Sequence, residues 1–179
     1  NHLVSFGWSP DLTEVVYAAR PSSRLIDSPE TELYRLAVGR RDSSGSITFS
    51  RQETATATRL TQGNGAELEP RFSPDGQWIS YLAKGDGDPL VGPDRLHILP
   101  SGGGSPFVAA PGFEGYVRGY RWVYDNERII VSAGEGVNQQ LYSISRGART
   151  AQALTRTDGV NSGFSVTPDG QTIAFVHEN

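Results

Sequence analysis

The stretch Phe72-Ser73-Pro74-Asp75-Gly76, followed by Trp78-Ile79-Ser80-Tyr81-Leu82, decides the fold of this chain. Proline presets φ at the second position of a type I turn, and aspartate is accepted at the third. Glycine then takes the left-handed conformation that turns the chain back on itself. In the strand that follows, residues two apart share a face. The stretch therefore predicts a β-hairpin whose second strand places Ile79 and Tyr81 on one buried face.

The same turn pattern occurs four times along the chain. The other copies are Trp8-Ser9-Pro10-Asp11-Leu12, Trp122-Val123-Tyr124-Asp125-Asn126 and Val166-Thr167-Pro168-Asp169-Gly170. Their aspartates are 64, 50 and 44 residues apart, and the shortest spacing agrees with the roughly 40–45 residues of a propeller blade. Asn126 can replace the turn glycine because asparagine visits the left-handed region readily. Leu12 cannot do so cheaply, so the first turn is expected to differ.

Apolar residues recur at fixed distances from each aspartate. Three residues before it stand Trp8, Phe72, Trp122 and Val166; four after it stand Val15, Ile79, Ile129 and Ile173; six after it stand Tyr17, Tyr81, Val131 and Phe175. The residues four and six after the aspartate share one side of the second strand. We expect these sets to form the core between neighbouring strands and blades, including the two tryptophans.

Two further strands follow each of the first three hairpins. The third strands are predicted at Leu33–Leu36, Leu96–Leu99 and Leu141–Ile144, and the fourth at Arg59–Thr61, Phe107–Ala109 and Ala153–Thr155. The predicted fold is all-β, a β-propeller of four-stranded antiparallel blades with about three and a half blades present. The blades cover about 3–62, 66–112 and 115–157, with a half-blade at about 161–177.

Composition narrows the function classes. The formal net charge is −4, whereas a nucleic-acid-binding face normally shows a basic excess. No apolar run approaches the roughly 20 residues that cross a bilayer, so we expect no membrane insertion. The chain has no cysteine, which excludes disulfides and thiolate metal sites but leaves periplasm and cytoplasm both open.

Two features suggest a piece of something longer. The chain has no methionine, and its last repeat contains only two strands. An open ring would expose a strand edge and flat apolar faces, and such surfaces recruit other chains. The expected partner is therefore the remainder of a parent polypeptide or a second copy of the chain.

The repeat resembles the TolB-like propeller repeats, a relative of the WD repeats built around a Ser-Pro-Asp-Gly hairpin. Within that group, Lys84-Gly85-Asp86-Gly87-Asp88, Leu99-Pro100-Ser101-Gly102-Gly103 and Gly134-Glu135-Gly136 resemble the N-terminal propeller of prolyl oligopeptidase family serine peptidases, particularly the acylaminoacyl-peptidase branch. That resemblance implies a propeller that covers the active site of an α/β-hydrolase domain and filters peptide substrates by size. The alternatives are a TolB-like protein-interaction module of the bacterial envelope and a propeller-type lyase for sugar acids.

No catalytic or cofactor site is predicted within the chain. The nearest match to the nucleophile motif G-x-S-x-G is Gly7-Trp8-Ser9-Pro10-Asp11, which fails at its last position. His2, His97 and His177 lack metal-ligand spacing, so no His-based metal site supports the lyase. The acidic stretch Asp86, Asp88 and Asp94 does not meet the EF-hand pattern and is interpreted as a solvated loop.

Topology nevertheless locates a candidate functional face. If the first strand of each blade lines the channel, one face carries the loops between second and third strands and the segments between blades. These are 20–31 and 84–94, beside 62–69, 112–117 and 158–162. Loops positioned by a rigid scaffold often carry binding residues. The candidate channel-side or partner-binding residues are Glu67, Glu69, Arg71, Arg118 and Asn161.

Overall fold

In the computed structural model the described residues are 2–22, 31–49, 56–62, 65–84 and 92–179, and they form strands and no helix. Accordingly, these residues contain no helix that could cross a membrane. The strands are β1 His2–Trp8, β2 Glu14–Arg20, β3 Glu32–Ala37, β4 Gly39–Arg41, β5 Ile47–Phe49, β6 Thr58–Arg59, β7 Leu68–Phe72, β8 Trp78–Lys84, β9 Asp94–Pro100, β10 Phe107–Val108, β11 Tyr116–Trp122, β12 Arg128–Glu135, β13 Asn138–Ser145, β14 Thr150–Ala153, β15 Val160–Val166 and β16 Ile173–Glu178.

The strands pair as three blades and a hairpin. Blade 1 is β1-β2-β3-β6, blade 2 is β7-β8-β9-β10, and blade 3 is β11-β12-β13-β14, each antiparallel throughout. The hairpin β15–β16 joins blade 3 through one parallel bridge between Gln139 and Val160. The predicted all-β propeller architecture is confirmed.

Blade 1 carries an insertion that the sequence did not predict. The short hairpin β4–β5 stands between the third and fourth strands and lengthens the first repeat. It folds back on the first turn, where Arg41 Nη2 donates to the Asp11 carbonyl at 2.9 Å. The Phe49 ring meets Trp8 edge-on, with centroids 6.1 Å apart.

The recurrent turns share one hydrogen-bond pattern. In the second turn Ser73 Oγ donates to Asp75 and accepts the backbone N–H of Trp78 at 3.0 Å, while the Gly76 N–H closes the turn on the Ser73 carbonyl at 2.9 Å. Thr167 plays the serine's part in the fourth turn. The turn residue after the aspartate has a positive φ in every copy: 62° at Leu12, 72° at Gly76, 60° at Asn126 and 69° at Gly170.

The expectation of a different first turn was therefore wrong. Ser9 makes the same contacts as Ser73, donating to Asp11 at 2.6 Å and accepting the Glu14 N–H at 2.9 Å. These bonds hold the turn shape, and Leu12 adopts the left-handed conformation despite its side chain. Side-chain hydrogen bonding at the first and third turn positions thus outweighs the preference of the fourth.

Two apolar clusters hold the blades face to face. The first, between blades 1 and 2, consists of Val16, Ala18, Leu33, Phe72, Ile79, Tyr81 and Leu99. The larger cluster, between blades 2 and 3, includes Leu82, Ile98, Tyr120, Trp122, Ile129, Val131, Tyr142 and Ile144. Trp122 also donates from Nε1 to Ser80 Oγ at 2.8 Å across this junction. The predicted burial of Ile79, Tyr81, Ile129 and Trp122 is confirmed.

Six predicted core residues are less enclosed, among them Val15, Tyr17 and Val166, which are half-buried. Trp8 is 45% exposed because it lies on the face of blade 1 that no described blade covers. Phe175 is 40% exposed and Ile173 is only half-buried. Both belong to β16, which has no described strand on its outer side. Repeat position alone therefore overstated their burial.

Candidate functional site

The structure places the five candidate residues in different surroundings. Glu67 and Asn161 are buried where one blade passes to the next, whereas Glu69 and Arg118 are exposed on inner strands. Arg71 lies further along β7, where it lines a cavity beside the turns. No single site unites them, and their role in binding stays a prediction.

Glu67 joins blade 2 to the outer edge of blade 1. Its carboxylate accepts a short hydrogen bond from Thr61 Oγ1, which itself accepts the Leu33 N–H at 2.9 Å. The backbone N–H of Glu67 donates to the Thr31 carbonyl at 3.2 Å. Burial disfavours the charged carboxylate and raises the pKa of Glu67 to about 7, although the Thr61 bond opposes this.

Asn161 occupies the equivalent place between blade 3 and the last hairpin. Its Nδ2 lies within donor distance of Gln140 Oε1 (3.0 Å), Thr155 Oγ1 (3.1 Å) and Thr157 Oγ1 (2.9 Å). Thr155 Oγ1 in turn accepts the Leu141 N–H at 2.9 Å, as Thr61 does for Leu33. Asn161 Oδ1 lies 2.8 Å from His177 Nδ1.

The junction between blades 2 and 3 replaces this polar contact with an apolar one. Both Glu67 and Asn161 stand eight residues before the aspartate of their turn, and Val117 holds that place in blade 3. Ala110 corresponds to Thr61 and Thr155. In each case the residue before it donates its backbone N–H to a leucine carbonyl of the third strand of the blade. Val117 and Ala110 are both buried. The threonine hydroxyl and the polar side chain that bonds to it are thus present together or absent together, so neither of them is left unpaired at these junctions.

Glu69 and Arg71 both contact Tyr120, Glu69 at the hydroxyl group and Arg71 at the ring. The Tyr120 hydroxyl lies 2.5 Å from the Glu69 carbonyl and 3.0 Å from the Ser80 carbonyl, and the Arg71 guanidinium lies 5.4 Å from the ring centroid. Glu69 has a φ of 51°, and its N–H donates to Ser5 Oγ of blade 1 at 3.0 Å. Arg118 lies on the next inner strand, 5.9 Å from the ring centroid of Tyr116.

Arg121 also belongs to the candidate site, although it was not among the residues predicted from the sequence. Arg71 and Arg121 both stand four residues before a turn aspartate, so the repeat itself carried the signal. Both line a cavity of about 410 Å³ with Gly7, Trp8, Pro10, Phe72, Ser73, Pro74, Trp122 and Tyr124. The cavity lies between the inner strands of the three blades at their turn-bearing ends.

The candidate loops are only partly covered by the structure. Residues 23–30 and 85–91 lie outside the described residues. They make up most of the loops after the second strands of blades 1 and 2, and they include Asp86 and Asp88. Within the described ranges no group of three or more His, Asp or Glu side chains could hold a metal ion. Ser9 is engaged in its turn, and the His97 ring packs against Tyr81 at 5.3 Å.

Comparisons with known proteins were made at the level of sequence and fold. No family model matches the chain. An uncharacterized protein of Agrobacterium fabrum is 25% identical over 93% of this chain and 51% of its own length. Dipeptidyl-peptidase 5 of Porphyromonas gingivalis is 26% identical over 92% of this chain and 22% of its own length. The chain thus spans about half the length of the first relative and about a fifth of the second.

Solved structures share the fold at low identity. TolB from Acinetobacter baumannii superposes with a TM-score of 0.66 at 21% identity, over 98% of this chain and 38% of that one. A puromycin-hydrolyzing peptidase of Mycobacterium tuberculosis gives 0.66 at 15% identity, over 98% and 28%. An oligogalacturonate lyase in complex with manganese gives 0.69 at 16% identity, over 98% and 47%. The fold is that of a TolB-like propeller, and it resembles the propellers of the peptidases.

Proposed function

We propose that the chain is a non-catalytic propeller segment that gates substrate access in a prolyl oligopeptidase family serine peptidase. The observation that supports this most is the similarity to dipeptidyl-peptidase 5, which runs along 92% of the chain but only 22% of that protein. Ser9, the serine of the nucleophile-like sequence Gly7–Asp11, is committed to the first turn. The hydrolytic residues would then belong to another part of a longer polypeptide.

The uncovered face of blade 1 supports a longer polypeptide. Phe6 and Trp8, on β1, are 58% and 45% exposed. Their counterparts in blade 3, Tyr120 and Trp122, are buried against blade 2. The face that includes Phe6 and Trp8 therefore has the composition of a blade-to-blade contact, and further blades of the same polypeptide are its proposed cover.

Gating follows from rigid geometry. Blades fixed by two apolar clusters form a stiff wall, so only substrates narrow enough for the channel would reach an active site behind it. The inner strands β1, β7 and β11 would line that channel. Large folded proteins would be excluded, and short peptides admitted.

A second candidate is a TolB-like interaction module that binds protein partners. The likeness to TolB from Acinetobacter baumannii, over 98% of this chain, favours it. Such a module would also need no catalytic residue, so both candidates agree with the described residues.

The test uses the longest natural polypeptide that contains these residues. It is treated with a fluorophosphonate that labels activated serines, and the labelled site is mapped by mass spectrometry. The proposal expects one labelled serine outside residues 1–179, and faster hydrolysis of a dipeptide reporter than of the same dipeptide within a folded protein. Absence of labelling and hydrolysis, with retention of a partner protein at micromolar affinity, would favour the interaction module.

The isolated chain provides the matched control. If the hydrolytic residues belong to another part of the polypeptide, as proposed, the isolated chain should not hydrolyse acyl-peptide or ester substrates. Turnover that survives rigorous purification and disappears in Ser9→Ala would overturn the non-catalytic assignment.

A further inference from the structure

The cavity beside the turns is built from corresponding positions of three blades. Gly7, Arg71 and Arg121 each stand four residues before a turn aspartate, on the inner strands β1, β7 and β11. A Cβ at Gly7 would lie 2.6 Å from the Pro70 carbonyl oxygen, so only glycine lets β1 come this close to β7. Blade 1 therefore contributes a close backbone approach at the position where blades 2 and 3 contribute guanidinium groups.

Positive charge is concentrated in this cavity. Arg71 and Arg121 line it, and none of its other lining residues is acidic. The nearest carboxylate partner of Arg71 is Glu69, with Oε2 3.7 Å from Nη2, longer than a hydrogen bond. Among the described residues Arg71 Nε is buried and has no hydrogen-bond partner. Arg121 Nη1 donates to the Tyr120 carbonyl at 2.8 Å.

The two guanidinium groups also repel each other. Partial burial, and after it the charge of Arg71, lower the pKa of Arg121, and the charge of Glu69 opposes this only in part. An anion between them would relieve this repulsion and supply an acceptor for Arg71. Planar guanidinium groups match a carboxylate especially well, because both can form two parallel hydrogen bonds.

The cavity walls suit an apolar group next to that anion. Pro10, Pro74 and Tyr124 line the cavity with ring surface that is at least partly exposed, and 68% of the Tyr124 surface is exposed. A volume of about 410 Å³ falls within the range of roughly 300–1,000 Å³ typical of small-molecule sites.

We propose that this cavity binds a carboxylate that stands next to an aromatic or other apolar side chain, as at the C-terminus of a peptide. Arg71 and Arg121 hold the carboxylate, and the rings of Pro10, Pro74 and Tyr124 contact the side chain. The inference does not depend on the peptidase assignment, since it uses only residues of these blades.

Calorimetric titration tests it with three peptides and the longest natural polypeptide that contains the chain. Acetyl-Ala-Phe with a free C-terminus should bind at least about tenfold more tightly than its C-terminal amide, because charge-assisted hydrogen bonds are lost in the amide. Acetyl-Phe-Asp-amide, whose only carboxylate is on the side chain next to the phenylalanine, also meets the proposed chemistry and should bind more tightly than the acetyl-Ala-Phe amide. Equal binding of acid and amide, or no binding of either acid, would overturn the proposal.

Variants locate the binding site. Arg121→Gln and Arg71→Gln should each weaken the acid about tenfold and leave the amide unchanged. Arg40→Gln, exposed on β4 and outside the cavity lining, is the charge-matched control and should bind like the wild type. A loss in Arg40→Gln equal to that in Arg121→Gln would indicate a general charge effect and contradict a site at this cavity. Circular dichroism confirms that each variant is folded.

Discussion

At the scale of single residues, the polar contacts between blades determine how the stability of each junction depends on pH. Glu67 and Asn161 bind the threonine at the end of the preceding blade, and the middle junction uses Ala110 and Val117 instead. An amide can make the Asn161 contacts without a charge, whereas the Glu67 carboxylate must either stay protonated or be buried as an anion. The two polar junctions should therefore respond differently to pH.

The Glu67 junction is expected to weaken as pH rises. Below about pH 4.5 the carboxyl is protonated in folded and unfolded chains alike, so its contribution to stability is fully present. Between the unfolded value of 4.5 and the folded pKa of about 7, only the folded state keeps the proton, so stability falls with rising pH. The loss amounts to on the order of 3 kcal/mol.

Glu67→Gln should remove this dependence. Its free energy of unfolding, measured by urea titration from pH 4 to 8, should be nearly flat where the wild type declines, and should exceed the wild-type value above pH 7. Glu69→Gln, two residues along and exposed, is the control and should keep the wild-type decline. A wild-type stability that rises between pH 4.5 and 7, with no difference in Glu67→Gln, would contradict the burial of this carboxyl.

Leu12 provides a second test at this scale. Its φ of 62° strains a side-chain-bearing residue, and 45% of its surface is exposed, so little packing is lost on truncation. Leu12→Gly should raise the free energy of unfolding by about 0.5–1 kcal/mol, the strain relieved less the added freedom of the unfolded chain. Gly76→Ala, at the same turn position, should lower it by about 1 kcal/mol. Lower stability of Leu12→Gly would show that the leucine side chain supports the turn.

At the scale of elements, the hairpin register could be predicted because period-two alternation recurs at the same distance from each turn aspartate. Ile79 and Ile129 are consequently buried as expected. The β4–β5 hairpin could not be foreseen, since it lies in one repeat only and has no counterpart with which to compare it. The Thr61–Glu67 contact could have been predicted from a pattern that occurs twice. In both copies a Leu-Thr pair is followed, six residues after the threonine, by a polar side chain: Leu60-Thr61 by Glu67 and Leu154-Thr155 by Asn161.

Truncating side chains at equivalent strand positions should lower the free energy of unfolding by different amounts. Ile129 is fully enclosed by both neighbouring strands and blade 2, so Ile129→Ala should cost about 2–5 kcal/mol. Phe175→Ala, on the outer strand of the last hairpin, should cost clearly less despite its larger side chain. Chemical denaturation of both variants compares them directly. Equal losses would mean that the last hairpin is packed as tightly as blade 3.

At the scale of the whole molecule, the fold could be predicted from four-fold recurrence, but the function could not. The repeats specify how one blade meets the next, whereas the cavity residues Arg71 and Arg121 emerge only when inner strands of different blades converge. The loops that would meet a substrate lie partly outside the described residues. Sequence patterns of single blades hold no information on how many blades complete the ring.

The central claim is that the aromatic face of blade 1, represented by Phe6 and Trp8, is covered by other polypeptide. Light scattering of the purified 179-residue chain at micromolar concentration tests it most directly. The claim predicts self-association, or a complex with a bound partner chain, because a face of this kind is not stable in water on its own. A well-folded, strictly monomeric species with no bound chain would contradict it.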